Sequence, residues 1–163
     1  MGSRTQTMEQ KRKVSPRILE YPQLEKYVAI ECNCKSCTSM CEKNSCWPTP
    51  EEAKELLRLG YGNKMMTNYF VTNPEEEDIY AIVPAVIGYE GTEFQDWFGG
   101  TCTLYKDGLC TLHDKGLKPS HGKFASCKTS QPYLFEDIAK TWANPEAQQL
   151  VKWWTRKFST GKR

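Results

Sequence analysis

The sequence has only two histidines, His113 and His121, and no H-E-x-x-H pair, Ser/His/Asp set or phosphate-cradling glycine loop. Gly88, Gly91, Gly99 and Gly100 do not have the spacing of such a loop, so no catalytic set is legible. Long apolar runs are also missing. The longest, Ile79 to Gly88, is interrupted by Pro84 and is about half the roughly 20 residues that a membrane-spanning helix needs. The N-terminal stretch is basic but carries no apolar segment behind it, so it does not read as a secretory signal. These absences lead us to expect a soluble, cytoplasmic protein with no membrane partner. There is no strong charge imbalance either: the net charge is +2, too small to single out a class of partner. No repeat of fixed period is present.

Cysteine, by contrast, is plentiful. Eight cysteines fall into two bursts, Cys32, Cys34, Cys37, Cys41 and Cys46, then Cys102, Cys110 and Cys127. In an oxidising compartment such clusters would read as disulfides; in a reducing one they read as thiolates gathered for a metal. The expected cytoplasmic setting favours the metal.

The length suits one domain. Residues 1–14 have few apolar side chains, and Arg4, Lys11, Arg12 and Lys13 outnumber Glu9, which predicts a flexible basic arm. Residues 15–163 then form a single metal-binding domain. Ile18, Leu19, Tyr21, Leu24, Tyr27, Val28 and Ile30 bring apolar groups towards the first burst, with Pro22 as a break or helix start. After Cys46, Thr49 is placed to cap a helix, Pro50 suits its first turn, Glu52 completes a capping box and Gly60 ends it. KMMTNYFVT and IYAIVPAVIGY, joined through Asn73-Pro74 and the acidic run Glu75 to Asp78, predict a hairpin whose connection stays in water. Lys106-Asp107-Gly108 predicts a second, tighter hairpin that lets Cys102 and Cys110 face one another. Two helices should close the chain, one ending near Trp142 to Asn144 and one starting around Pro145. The expected fold class is α+β, organised around a cysteine-rich metal site.

A metal site needs soft ligands about 2.3 Å from one ion, and a C-x2-C turn supplies two of them with little strain. Cys34 and Cys37 have that spacing, Cys41 follows one turn later, and Cys102, Cys110 and Cys127 can supply the remainder. Cys32 stands only two residues before Cys34, and Cys32 and Cys46 also read as small buried apolar residues. His113, three residues after Cys110, and His121 are candidate ligands or hydrogen-bonding supports for ligands. Met40 reads as core, although its thioether also suits copper(I).

The order Cys34-Lys-Ser-Cys37-Thr-Ser-Met40-Cys41, then Thr49-Pro-Glu-Glu-Ala, then Cys102-Thr-Leu104, Gly108-Leu-Cys110-Thr-Leu112-His113 and Lys118-Pro119 resembles a family of zinc- or iron-chelating domains of the CxxCxxCC type. The resemblance spans roughly residues 30–127. It departs from the pattern at Met40, where the first cysteine of the Cys-Cys pair would stand, and at Gly122, where a further cysteine would. His121 or Cys127 then substitutes for the missing sulfur, or the site lacks that ligand. What the resemblance implies is chelation; it implies no particular reaction.

Thiolates suit zinc and iron-sulfur clusters alike. Zinc is favoured because no run of cysteines ending in Cys-Pro appears. The leading expectation is a zinc site that stabilises a small domain acting on a protein partner; the alternative is an iron or iron-sulfur redox protein or enzyme. A third reading rests on Trp142, Trp153, Trp154 and Phe158 interleaved with Lys152, Arg156, Lys157, Lys162 and Arg163: either an amphipathic helix, or, with the basic arm, a nucleic-acid-binding surface.

Overall fold

The computed structural model describes residues 21–29, 34–38, 40–71, 75, 77–93, 99–125 and 131–159. The basic arm, Ile18, Leu19, Ile30, Cys32, Asn73-Pro74, Glu76, Cys127, Lys162 and Arg163 lie outside the described residues. The described chain is mixed helix and strand with two small antiparallel sheets, an α+β arrangement.

After a single turn of 3-10 helix at Pro22–Leu24 come two short helices, α1 (Lys35–Thr38) and α2 (Met40–Lys43). Helix α3 (Pro50–Arg58) starts as its sequence requires: the Thr49 side chain accepts from the Glu52 backbone N–H, and Glu52 Oε1 accepts from the Thr49 N–H at 2.9 Å. Gly60, with φ at +97°, lets the chain leave it. Strands β1 (Met65–Phe70) and β2 (Ile79–Pro84) pair antiparallel, Met65 opposite Pro84 and Phe70 opposite Ile79. Residues 91–93 add to the free edge of β1, where Thr67 donates its N–H to Thr92 O. The second hairpin, β3 (Tyr105–Lys106) and β4 (Leu109–Cys110), turns on Asp107 and Gly108, both at positive φ, the two-residue turn that Asp-Gly favours.

Ala81, Ile82 and Val83 are fully buried in succession, so β2 is covered on both faces rather than alternating, as its unbroken apolar run requires. Helices α3, α5 (Leu134–Lys140) and α6 (Pro145–Phe158) all pack against it. Trp142 and Trp154 fill the space between these elements, each with its indole N–H satisfied: Trp142 donates to Pro48 O at 2.8 Å and Trp154 to Gly62 O at 2.9 Å. Asn144 caps α6 by accepting from the Ala147 N–H, and Pro145 occupies the first turn. The segment from Tyr21 onward docks on α5, where the Tyr27 hydroxyl donates to Asp137 and Lys26 pairs with the same carboxylate. No described helix is long and apolar enough to cross a membrane.

Candidate functional site

The two cysteine bursts are brought together by backbone hydrogen bonds. Beyond β2, residues 85–87 pair with residues 101–103: the Ile87 N–H donates to Thr101 O and the Thr103 N–H to Ala85 O. On its other side the same segment lies along α2. The Cys102 N–H donates to Cys41 O and the Gly100 N–H to Lys43 O, both at 2.7 Å, and the Thr101 hydroxyl donates to Glu42 O. The second burst is thus a layer between the end of β2 and the first burst, with Cys102 beside Cys41. The tight hairpin then returns Cys110, opposite Tyr105, to the same place.

Gly99 makes this docking feasible. Its φ is +82°, and a Cβ there would stand 2.5 Å from the Lys43 carbonyl oxygen. An alanine would therefore face both the left-handed backbone penalty and displacement of the carbonyl that holds Gly100. Gly99→Ala is expected to cost about 2–3 kcal/mol, read as a lower urea midpoint with an unchanged slope.

Four sulfurs meet in this layer. Cys41, Cys46 and Cys102 are buried and Cys110 is half-buried. Thiols of Cys102, Cys110 and Cys46 hydrogen-bond to Cys41, which lowers its pKa well below the ordinary thiol value, aided by the charge of Lys118 against an opposing burial effect. The same contacts, followed by burial, push Cys102, Cys110 and Cys46 upward. One thiolate is favoured and three protons are held around it; ionising the other sulfurs calls for a cation among them. Among the described residues no three His, Cys, Asp or Glu side chains stand in a ready-made metal-holding arrangement; the sulfurs are gathered about Cys41.

Cys46 belongs to this cluster, although in sequence it reads as an extra. The signal was the stretch Cys46-Trp47-Pro48-Thr49-Pro50, buried throughout, a stiff run that carries Cys46 inward with it. Gly122 is the complementary feature. A Cβ on it would lie 2.9 Å from Lys118 Cε and 3.2 Å from Cys46 Sγ, so the Lys118 chain and Cys46 sulfur together crowd the position. The helix bearing Gly122, α4 (Ser120–Phe124), is anchored by the carboxylate that caps α3. Glu52 accepts from the Ser120 N–H at 2.9 Å and the Ser120 hydroxyl at 2.7 Å, and pairs with Lys123 at 3.0 Å.

The other candidates are distributed differently. Cys34 is exposed just before α1 and Cys37 half-buried within it; the groups that act most on Cys41 are Cys102, Cys110 and Cys46. His113 is exposed in a single 3-10 turn, His113–Lys115. His121, in α4, sits near the cluster: its ring packs against Phe135 at 5.5 Å, its backbone N–H donates to Trp47 O, and its Nδ1 is buried without a hydrogen-bond partner. Burial pushes its pKa down to about 4, partly opposed by the negative charge of Cys41. With the folded value below the unfolded one, the unfolded state takes up the proton first as pH falls. Stability is therefore intact above about 6.5 and is lost as pH falls towards 4. His121→Phe is expected to flatten that acid limb in a series of thermal melts from pH 7 to 4.

On the far side, α6 divides its two adjacent tryptophans, Trp154 inward and Trp153 40% exposed. Trp153 borders a shallow groove with Lys54, Lys152 and Arg156, and Lys157 lies over its ring at 5.9 Å. No family model, curated protein or solved structure matches the chain.

Proposed function

We propose that Cys41, Cys46, Cys102 and Cys110 bind one zinc ion, and that the ion fastens the two cysteine-bearing segments of a small α+β domain that acts by binding a partner protein. The observation that carries this reading is the gathering of the sulfurs of Cys46, Cys102 and Cys110, from both cysteine bursts, about the buried Cys41. Four thiolates are a closed donor set for zinc, with no open position for substrate, which is the mark of a structural site. Zinc would supply the positive charge that the cluster lacks. The chain's own contribution is to hold Cys102 against Cys41 through the backbone and to shut Cys46 behind Trp47 and Gly122. Loading displaces thiol protons, so affinity rises with pH.

An iron-sulfur cluster on the same sulfurs is the rival. Anaerobic purification from iron-supplied cells followed by elemental analysis and an absorption spectrum separates the two. Zinc with no absorption at about 400 nm supports the reading; a brown protein containing iron and sulfide overturns it.

The exposed Trp153 with Lys152, Arg156 and Lys54 beside it favours a second reading, a surface for single-stranded nucleic acid. Its mark would be association that weakens steeply with salt and fails in Trp153→Ala. No association at low ionic strength would eliminate it.

A further inference from the structure

Two lysines flank α4 and are used differently. Lys123 pairs with Glu52 at 3.0 Å. Lys118, just ahead of the helix, is half-buried and has no carboxylate partner among the described residues. Its chain is laid across Gly122 instead. A Cβ placed on that glycine would stand 2.9 Å from Lys118 Cε, 3.4 Å from Lys118 Cγ and 3.2 Å from Cys46 Sγ. The end of the lysine stem and the Cys46 sulfur therefore border the same point, and the ammonium is one bond beyond Cε. In keeping with that placement, the positive charge of Lys118 acts on Cys41, Cys46 and Cys110 in the direction that favours thiolate.

A zinc ion holding four thiolates is a doubly negative centre, and Cys41, Cys46 and Cys102 would place most of that charge in the interior. Buried charge is costly unless an opposite charge stands near it. We infer that Lys118 is the counter-charge of the metal site, a positioning residue that raises its affinity for zinc without touching the ion. The inference rests on the zinc reading and adds to it a residue with no sulfur. An ammonium suits the role: it carries three donors and no acceptor, so it can face sulfur without competing for the metal.

The test is zinc affinity, measured on the full chain by competition with a chromophoric chelator, together with the absorption spectrum of the cobalt(II)-loaded protein. Lys118→Met keeps the stem and removes the charge, and is expected to bind zinc about tenfold more weakly. Lys118→Arg should recover most of the loss. Lys43→Met, which removes the same charge from an exposed position in α2, should change little. A cation beside sulfur stabilises its lone pairs, so the thiolate-to-cobalt band should move to longer wavelength in Lys118→Met and return in Lys118→Arg. The metal-free methionine variant should melt close to metal-free wild type, which separates the charge from packing; should it fold poorly, Lys118→Gln is expected to show the same weakening. Wild-type affinity in Lys118→Met, an arginine variant as weak as the methionine one, or an equal loss in Lys43→Met would each overturn the inference and leave the zinc site standing. A wild-type chain that takes up neither zinc nor cobalt would overturn both.

Discussion

Stripping zinc with a chelator is expected to lower Tm by roughly 8–16 °C. The size follows from linkage: an ion present at a thousandfold excess over its Kd stabilises the folded state by about 4 kcal/mol, and a chain of this length moves roughly 2–4 °C per kcal/mol. The effect should be carried by particular sulfurs. Cys41→Ser should remove the difference between zinc-loaded and stripped protein, because Cys41 is the sulfur to which Cys46, Cys102 and Cys110 all turn. Cys102→Ser should do nearly as much. Its backbone N–H bond to Cys41 O is independent of the side chain, so the serine protein should still fold and its loss should register in metal affinity. Cys34→Ser, at an exposed position, should leave most of the difference in place. A melt in which Cys34→Ser and Cys41→Ser behave alike would count against this assignment of ligands.

The second large effect is expected at a residue with no sulfur. Glu52 is a capping carboxylate that also serves a distant helix: its two oxygens accept from the Thr49 and Ser120 backbone N–H groups and the Ser120 hydroxyl, and pair with Lys123. Its side chain is 12% exposed, and Ser120 is buried, so water does not readily replace the lost partners. Glu52→Ala removes a capping interaction worth about 0.5–2 kcal/mol and leaves buried donors unpaired at about 1–3 kcal/mol. A loss of about 3 kcal/mol is expected, or roughly 6–12 °C in Tm. Glu52→Gln keeps an acceptor for the two backbone donors and loses the ion pair with Lys123, so it should forfeit about a third of that. Since α4 carries Gly122 and His121, the alanine variant should also bind zinc more weakly. Equal stability of the alanine and glutamine variants would show that the tie to Ser120 contributes little.

The two residues treated so far illustrate what sequence can and cannot disclose. The local role of Glu52 is legible, because a capping box is a pattern of three residues read within one turn. So are the two hairpins and the two closing helices, where turn residues and apolar periodicity stand next to each other in the chain. The partnership of Glu52 with Ser120 is not legible: it spans 68 residues and depends on how α4 is laid down. Short helices such as α1, α2 and α4 have too few residues to show a period, and their positions are set by what they pack against.

The same division runs through the site. Cys41, Cys102 and Cys110 stand out by clustering, and they come together. Cys46 is under-weighted because spacing compares it with its neighbours in sequence, whereas its place is set by the rigid Trp47-Pro48 stretch and by the space at Gly122. In the resemblance to chelating domains Gly122 is a missing ligand. In space, Cys46 sulfur stands beside it, 3.2 Å from where a Cβ at 122 would be, so sulfur from another part of the chain lies next to that position. His121 stands out in sequence as a candidate ligand beside Gly122, but nothing in the chain foretells that its Nδ1 would be buried without a partner.

The most direct test is zinc K-edge X-ray absorption on the protein carrying Cys32→Ser, Cys34→Ser, Cys37→Ser and Cys127→Ser, which leaves Cys41, Cys46, Cys102 and Cys110 as its only cysteines. One zinc per chain in a shell of four sulfurs at about 2.3 Å is the predicted result. Failure of that variant to retain zinc, or a shell made mainly of nitrogen and oxygen, would contradict the claim that Cys41, Cys46, Cys102 and Cys110 form the metal site.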